Sequence, residues 1–127
     1  MTPEGRVKQN INRILASFPF VYSFMPVQYG MGAAGVDYHC VAGRYFILEG
    51  KLEMVPVAFF IEAKKPGDKP TDRQKNFARD RKKDQNAVTF VIDEDPSIRK
   101  GSGLAKLTEW LEAIEKNNEY LSATFTR

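Results

Sequence analysis

Glu62 and Lys64 close the apolar run Phe59-Phe60-Ile61-Glu62-Ala63-Lys64, and Asp37 precedes them by 25 residues. Side chains of an extended chain alternate between two faces. Glu62 and Lys64 therefore project together, while Phe59, Ile61 and Ala63 turn toward a core. A carboxylate beside an ammonium at the end of an apolar strand is costly to desolvate and returns little stability. With a second acid arriving from another strand, the group has the ingredients of a divalent-metal site with a lysine at its edge. The same spacing suits an edge-strand salt bridge equally well, because Glu-x-Lys is common and exposed pairs contribute little.

Two more residues extend the set. Gln74 lies ten residues after Lys64, and Glu4 stands at the head of the first helical segment. In order, Glu4, Gly35-Val36-Asp37, Glu62-Ala63-Lys64 and Gln74 resemble the PD-(D/E)XK nuclease superfamily. In detail they look like its VRR-NUC branch, in the small stand-alone form found in phage and bacteria. The pattern there is a helix glutamate, Gly-x-Asp, an apolar strand ending in Glu-x-Lys, and a helix opening with glutamine. The resemblance runs from Glu4 to about Ile92. Val36 stands where proline usually precedes the aspartate, and Arg81 where an apolar residue is more usual on the glutamine helix.

The resemblance implies a restriction-endonuclease-like α/β core and metal-dependent cleavage of DNA that leaves a 5′-phosphate. Asp37 and Glu62 would ligate Mg²⁺ or Mn²⁺, with the carbonyl of Ala63 as a further ligand. Such a metal lowers the pKa of bound water and neutralises charge building on the phosphate. Lys64 would orient the attacking water or stabilise the transition state as a point charge, and Glu4 and Gln74 would complete or orient the ligand shell. Proteins of this kind cut branched DNA such as Holliday junctions as symmetric homodimers, since two matched strands need two matched sites. A nuclease acting on unbranched DNA or on RNA, and a nuclease-fold DNA-binding protein without catalysis, remain open alternatives.

Charge distribution fits a polyanionic substrate. The chain carries a net +3, but from Lys65 to Lys83 eight cations face three acids, a net +5, which leaves the rest slightly acidic. Lys65, Lys69, Arg73, Lys75, Arg79, Lys82 and Lys83 are the candidate DNA contacts, placed directly downstream of the carboxylates. A solvated helix face would carry a similar run.

The elements that must position these residues are legible in outline. Thr2 suits an N-cap and Pro3 a first turn. Val7, Ile11, Ile14, Leu15 and Phe18 form one apolar stripe, so a helix is expected over 3–18 with Glu4 extending its inward face. Residues 18–35 read as irregular, broken by Pro19, Pro26 and several glycines. Strands are expected over 36–42, 45–49 and roughly 55–63, with turns at Gly43-Arg44 and Gly50-Lys51 and with Pro56 at a strand start or edge. A second helix is expected from Thr71 to about Asp84, ended by Asn86. A buried strand then spans 87–92, and a third helix runs from Ser102 to Asn117. Thr71-x-x-Gln74 also reads as a capping box, a role that competes with the site for the same glutamine. The expected architecture is a mixed sheet of about four strands flanked by helices, one domain over residues 1–127.

Several other chemistries are excluded. Gly30-Met31-Gly32-Ala33-Ala34-Gly35 is a literal GxGxxG, but an irregular stretch precedes it and a strand follows, the reverse of a dinucleotide fingerprint. Small residues there would let a nucleic-acid backbone come close to the metal, or would simply make a tight turn. His39 and Cys40 are strand neighbours facing opposite ways, with no CxxC or HxxxH partner. One histidine and no elbow motif leave no Ser-His-Asp arrangement. No small-molecule cofactor is expected. One cysteine, no signal peptide and no apolar run of membrane length point to a cytoplasmic protein.

Overall fold

Paired strands β2 (Tyr38–Leu48) and β3 (Lys51–Ala63) form a long hairpin that is the spine of the molecule. The computed structural model describes residues 2–26, 36–94 and 98–125. Around the hairpin, β1 (Val21–Phe24) adds antiparallel to β2 and β4 (Val88–Ile92) adds parallel to β3, giving a mixed four-stranded sheet in the order β1-β2-β3-β4. Among the described residues three helices complete the α/β architecture: α1 (Pro3–Ala16), α2 (Asp72–Gln85) and α3 (Gly103–Thr124).

Alternation sorts each strand onto two faces. Tyr38, Cys40 and Ala42 of β2, Phe59, Ile61 and Ala63 of β3, and Phe90 and Ile92 of β4 line one face and are buried. Against them pack Val7, Ile11 and Leu15 of α1 and Leu104, Leu107, Leu111 and Ile114 of α3. Each of these larger side chains contributes about 1.5–3 kcal/mol by leaving water. Trp110 joins this core, 4.8 Å from the Phe59 ring and 5.6 Å from Phe90. The opposite face carries His39, Phe60 and Glu62, and α2 covers only part of it through Phe77, whose ring meets Phe60 edge-on at 5.2 Å. No residue of α2 is itself buried.

Several expectations need correction. Gly43-Arg44 is not a turn: both residues continue β2, so the two short strands expected there are one. The reversal is at Glu49-Gly50, both with positive φ (52° and 77°), the backbone a tight two-residue hairpin requires. Pro56 sits inside β3 rather than at its start. It is tolerated because Gly43, its partner, directs its N–H to Phe20 and its carbonyl to Asn118, away from β3. The pair is therefore not hydrogen-bonded, and the proline nitrogen faces a side that β4, which starts pairing only at Phe59, does not reach.

Part of the stretch expected to be irregular is strand β1, and α3 runs seven residues beyond Asn117. That extension has a role. Beyond Ala42 the edge of β2 outruns β1, and the side chains of α3 stand in for a strand. Asn118 Oδ1 accepts from the Tyr45 N–H at 2.8 Å, its Nδ2 donates to the Gly43 carbonyl at 2.9 Å, and Asn117 Nδ2 donates to the Tyr45 carbonyl at 2.9 Å. An exposed edge is thereby blunted without another strand. Gly30–Gly35 lie outside the described residues. Among the described residues no helix is long and apolar enough to cross a membrane.

Candidate active site at the carboxyl end of β3

Asp37 immediately precedes β2, and Glu62 is the penultimate residue of β3. Antiparallel register sets Tyr38 opposite Ile61, which brings Asp37 level with Glu62 at one end of the sheet. Asp37 Oδ2 accepts a 2.7 Å hydrogen bond from the Ala63 N–H, so the loop before β2 is tied to the strand that carries the glutamate. Lys64 is held in place by its own N–H, which donates to the Ile92 carbonyl of β4 at 2.8 Å.

Glu62 is 5 % exposed, and one of its oxygens, Oε2, has no hydrogen-bond partner. Its other oxygen accepts from Gln74 Nε2 at 2.7 Å and lies 3.9 Å from Lys64 Nζ. That lysine distance is too long for a hydrogen bond, so the pair is not the tight salt bridge that would explain the residues by stability alone. Burial, and then the neighbouring Asp37 charge, push the Glu62 carboxyl up to about 8, Lys64 pulling the other way and Glu4 adding a smaller push. A proton on Glu62 gives it a donor toward Asp37. Without one, two carboxylates face each other with too little positive charge between them.

Gln74 caps α2 and reaches Glu62 with the same side chain, two contacts expected to exclude each other. Its Oε1 accepts from the Thr71 N–H at 2.9 Å while Thr71 Oγ1 accepts from the Gln74 N–H at 3.3 Å, a complete capping box. Its Nε2 is the group that reaches Glu62. A primary amide has a donor end and an acceptor end, and the helix start and the site each use one. Farther along α2, Arg81 lays its guanidinium over the Phe77 ring at 5.3 Å, which is how a charged residue occupies a position facing the sheet.

Glu4 is exposed in the first turn of α1, not inward-facing as its place beside the apolar stripe suggested. It reaches the site through its field on Glu62. Sequence reasoning missed Lys8, whose Nζ lies 3.7 Å from Asp37 Oδ1. The signal was present, since Lys8 follows Glu4 by four and shares its helix face. Also missed was Tyr38, which pins α1 to β2 by donating from its hydroxyl to Asn12 Oδ1 at 2.9 Å and to the Lys8 carbonyl at 3.3 Å. Burial, then Asp37 and Cys40, raise the Tyr38 hydroxyl above its ordinary value. Cys40 faces the core, where burial pushes its thiol up to about 12, the opposite of an activated nucleophile.

The basic candidates Lys65, Lys69, Arg73, Lys75, Arg79, Lys82 and Lys83 are all exposed. Lys65 and Lys69 lie on the loop leaving the site. At 3.6 residues per turn, Lys75, Arg79, Lys82 and Lys83 fall within about 100° of one another, on a face turned well away from Gln74, Phe77 and Arg81. Arg79 is paired with Asp80 at 3.3 Å, and Lys82 Nζ donates to Asn86 Oδ1 at 3.1 Å.

Among the described residues, no cluster of three or more His, Cys, Asp or Glu side chains is arranged to hold a metal ion. Two carboxylates do meet here, and Mg²⁺ needs only one or two together with its waters. The orphaned Glu62 Oε2 beside Asp37 fits such a hard cation, and Ala63 joins the site through its N–H to Asp37. No family model, curated protein or solved structure matches this chain.

Proposed function

We propose that the protein is a divalent-metal-dependent endonuclease with a restriction-endonuclease-like core. It would hydrolyse DNA phosphodiesters, with branched DNA such as four-way junctions as its preferred substrate. The observation that carries this reading is the buried Glu62 carboxylate with an unpartnered oxygen, set beside Asp37 and bracketed by Lys64 and Gln74. An ionised acid in that position destabilises the fold unless a cation joins it, and building such a place is a mark of function.

Asp37 and Glu62 would hold Mg²⁺ or Mn²⁺, with the Ala63 carbonyl as a further ligand. The ion, when bound, supplies an activated water and positive charge for the phosphate. Lys64 is close enough to Glu62 to stay at the edge of the site, yet free of a tight bond, so its ammonium can face a phosphate oxygen. Gln74 fixes the orientation of Glu62 from the helix start, and the Lys8 ammonium lies 3.7 Å from Asp37 Oδ1. Lys65, Lys69 and Arg73 extend positive potential from the site along the path a phosphate backbone would take. Cutting two matched strands of a junction calls for two copies of the chain.

The test is incubation of the protein with linear, flapped and four-way DNA in Mg²⁺, Mn²⁺ or EDTA. Cleavage only with metal, fastest on the four-way substrate and leaving a 5′-phosphate, is the expected result. Tight DNA binding with no cleavage under any metal would make the protein a binding module instead.

A further inference from the structure

The half of the sheet face that α2 leaves bare begins one step from the carboxylates. His39 follows Asp37 by two residues and Phe60 precedes Glu62 by two, so each lies on the same face as the acid of its own strand, about 7 Å along. Phe24 is opposite His39 and Tyr22 opposite Val41. Together Tyr22, Phe24, His39, Val41, Ala58 and Phe60 line a shallow, open cavity of about 510 Å³. Its rings are held to different degrees. His39 meets Phe60 edge-on at 5.2 Å, and Phe60 is braced by Phe77, whereas Tyr22 and Phe24 are 69 % and 53 % exposed.

We propose that this aromatic cavity is a binding site for an unpaired nucleobase next to the phosphate held at Asp37 and Glu62. The proposal rests on the reading of that carboxylate end as a phosphodiester site. The charge pattern matches a nucleotide: Lys8 and Lys64 stand at the end that would take the phosphate, and among the described residues no Asp, Glu, Lys or Arg lines the cavity that would take the base. Bases inside a duplex have their ring faces covered by neighbours, so a platform of exposed rings selects bases that are unstacked. Such bases occur at gaps, bulges, flaps and the centres of junctions. A second copy of the chain seated on the same apolar face is the competing occupant, and it predicts a different outcome.

The experiment uses the full chain and two DNAs that differ only in a short gap carrying 2-aminopurine. Affinity is measured in EDTA and cleavage in Mg²⁺ or Mn²⁺. Wild type should prefer the gapped DNA and quench the 2-aminopurine emission as the base stacks. The Tyr22→Ala, Phe24→Ala double variant should lose roughly 5- to 150-fold of the gapped-over-linear preference, the span of a single stacking contact, together with the quench. Tyr22→Trp with Phe24→Trp should restore both. Circular dichroism reports whether the alanine variant folds. If it does not, Tyr22→Ala alone carries the same comparison, because that side chain is mostly in solvent.

An unchanged preference, or no quench with wild type, overturns the proposal. So does a variant that changes the sedimenting species while its gap preference stays intact, which would assign the face to self-association. Cleavage without a quench removes the base site alone. A quench and a gap preference without cleavage under either metal uphold the base site and remove the nuclease reading.

Discussion

Two glutamates are buried among the described residues, and they are treated in opposite ways. Glu94, 7 % exposed just after β4, accepts from the N–H groups of Gly103 and Leu104 at 2.7 and 3.3 Å. These are orphan donors of the first turn of α3, where the helix dipole also favours negative charge. Ser102 caps the same turn through the Ala105 N–H at 3.1 Å. Glu62 has one amide, one distant ammonium, one oxygen with nothing to accept from, and a second acid beside it. Burial is nearly equal, so burial does not distinguish them. Supply of positive charge does: Glu94 receives enough to be structural, and Glu62 receives too little unless a ligand brings more.

The sharpest way to break this contrast is to remove each charge in turn. Glu62→Gln and Asp37→Asn should lower metal-dependent cleavage by about a thousandfold or more and leave DNA binding equal or tighter, because a lost acid also relieves repulsion of phosphate. Glu94→Gln should leave cleavage close to wild type. Wild-type turnover by either site variant would return Glu62 to the same class as Glu94.

Lys64→Ala should lose cleavage by about two orders of magnitude, roughly the scale for a group that acts on the transition state, with metal binding retained. A calorimetric loss of stability in place of that rate effect would mean the lysine serves Glu62 as a counter-ion.

Stability against pH sharpens the contrast further. A carboxyl whose folded pKa is raised, here from 4.5 to about 8, binds its proton more tightly in the folded chain than in the unfolded one. It costs nothing below the unfolded value. Stability then falls as pH rises through the interval, and the full cost, on the order of 5 kcal/mol, is present above the folded value. Denaturant unfolding of the metal-free protein should show that decline between about pH 5 and 8, and Glu62→Gln should flatten it. Mg²⁺ should offset part of it in wild type. Glu94→Ala should instead cost about 2 kcal/mol at neutral pH by stripping two helix donors of a charged acceptor.

The smallest effect concerns Gln74. Gln74→Ala should cost about 1 kcal/mol through the lost capping box and reduce cleavage modestly by freeing Glu62 to rotate. Thr71→Ala breaks the cap and spares the glutamine's contact with Glu62, so a comparable drop in cleavage for both variants would assign the whole effect to the helix start.

Much of this was legible in the chain itself. Local rules are enough for Thr2 and Thr71 as N-caps, for Asn86 ending α2 in a left-handed conformation, and for the alternation that puts Glu62 and Lys64 opposite Phe59 and Ile61. They depend on residues a few positions apart, whose geometry the backbone fixes. Of the candidate site, the order of Asp37, Glu62, Lys64 and Gln74 was readable, but not Lys8, nor that Glu4 faces outward.

Tertiary structure decided the rest. That Asp37 accepts from the Ala63 N–H, that Lys8 stands beside it, that Gln74 serves two partners, and that Asn117 and Asn118 finish the edge of β2 all require distant segments to meet. So does the difference between the two glutamates. Glu62 and Glu94 have the same side chain near the end of a strand, and only the groups that packing delivers to each make one an anchor and the other a site.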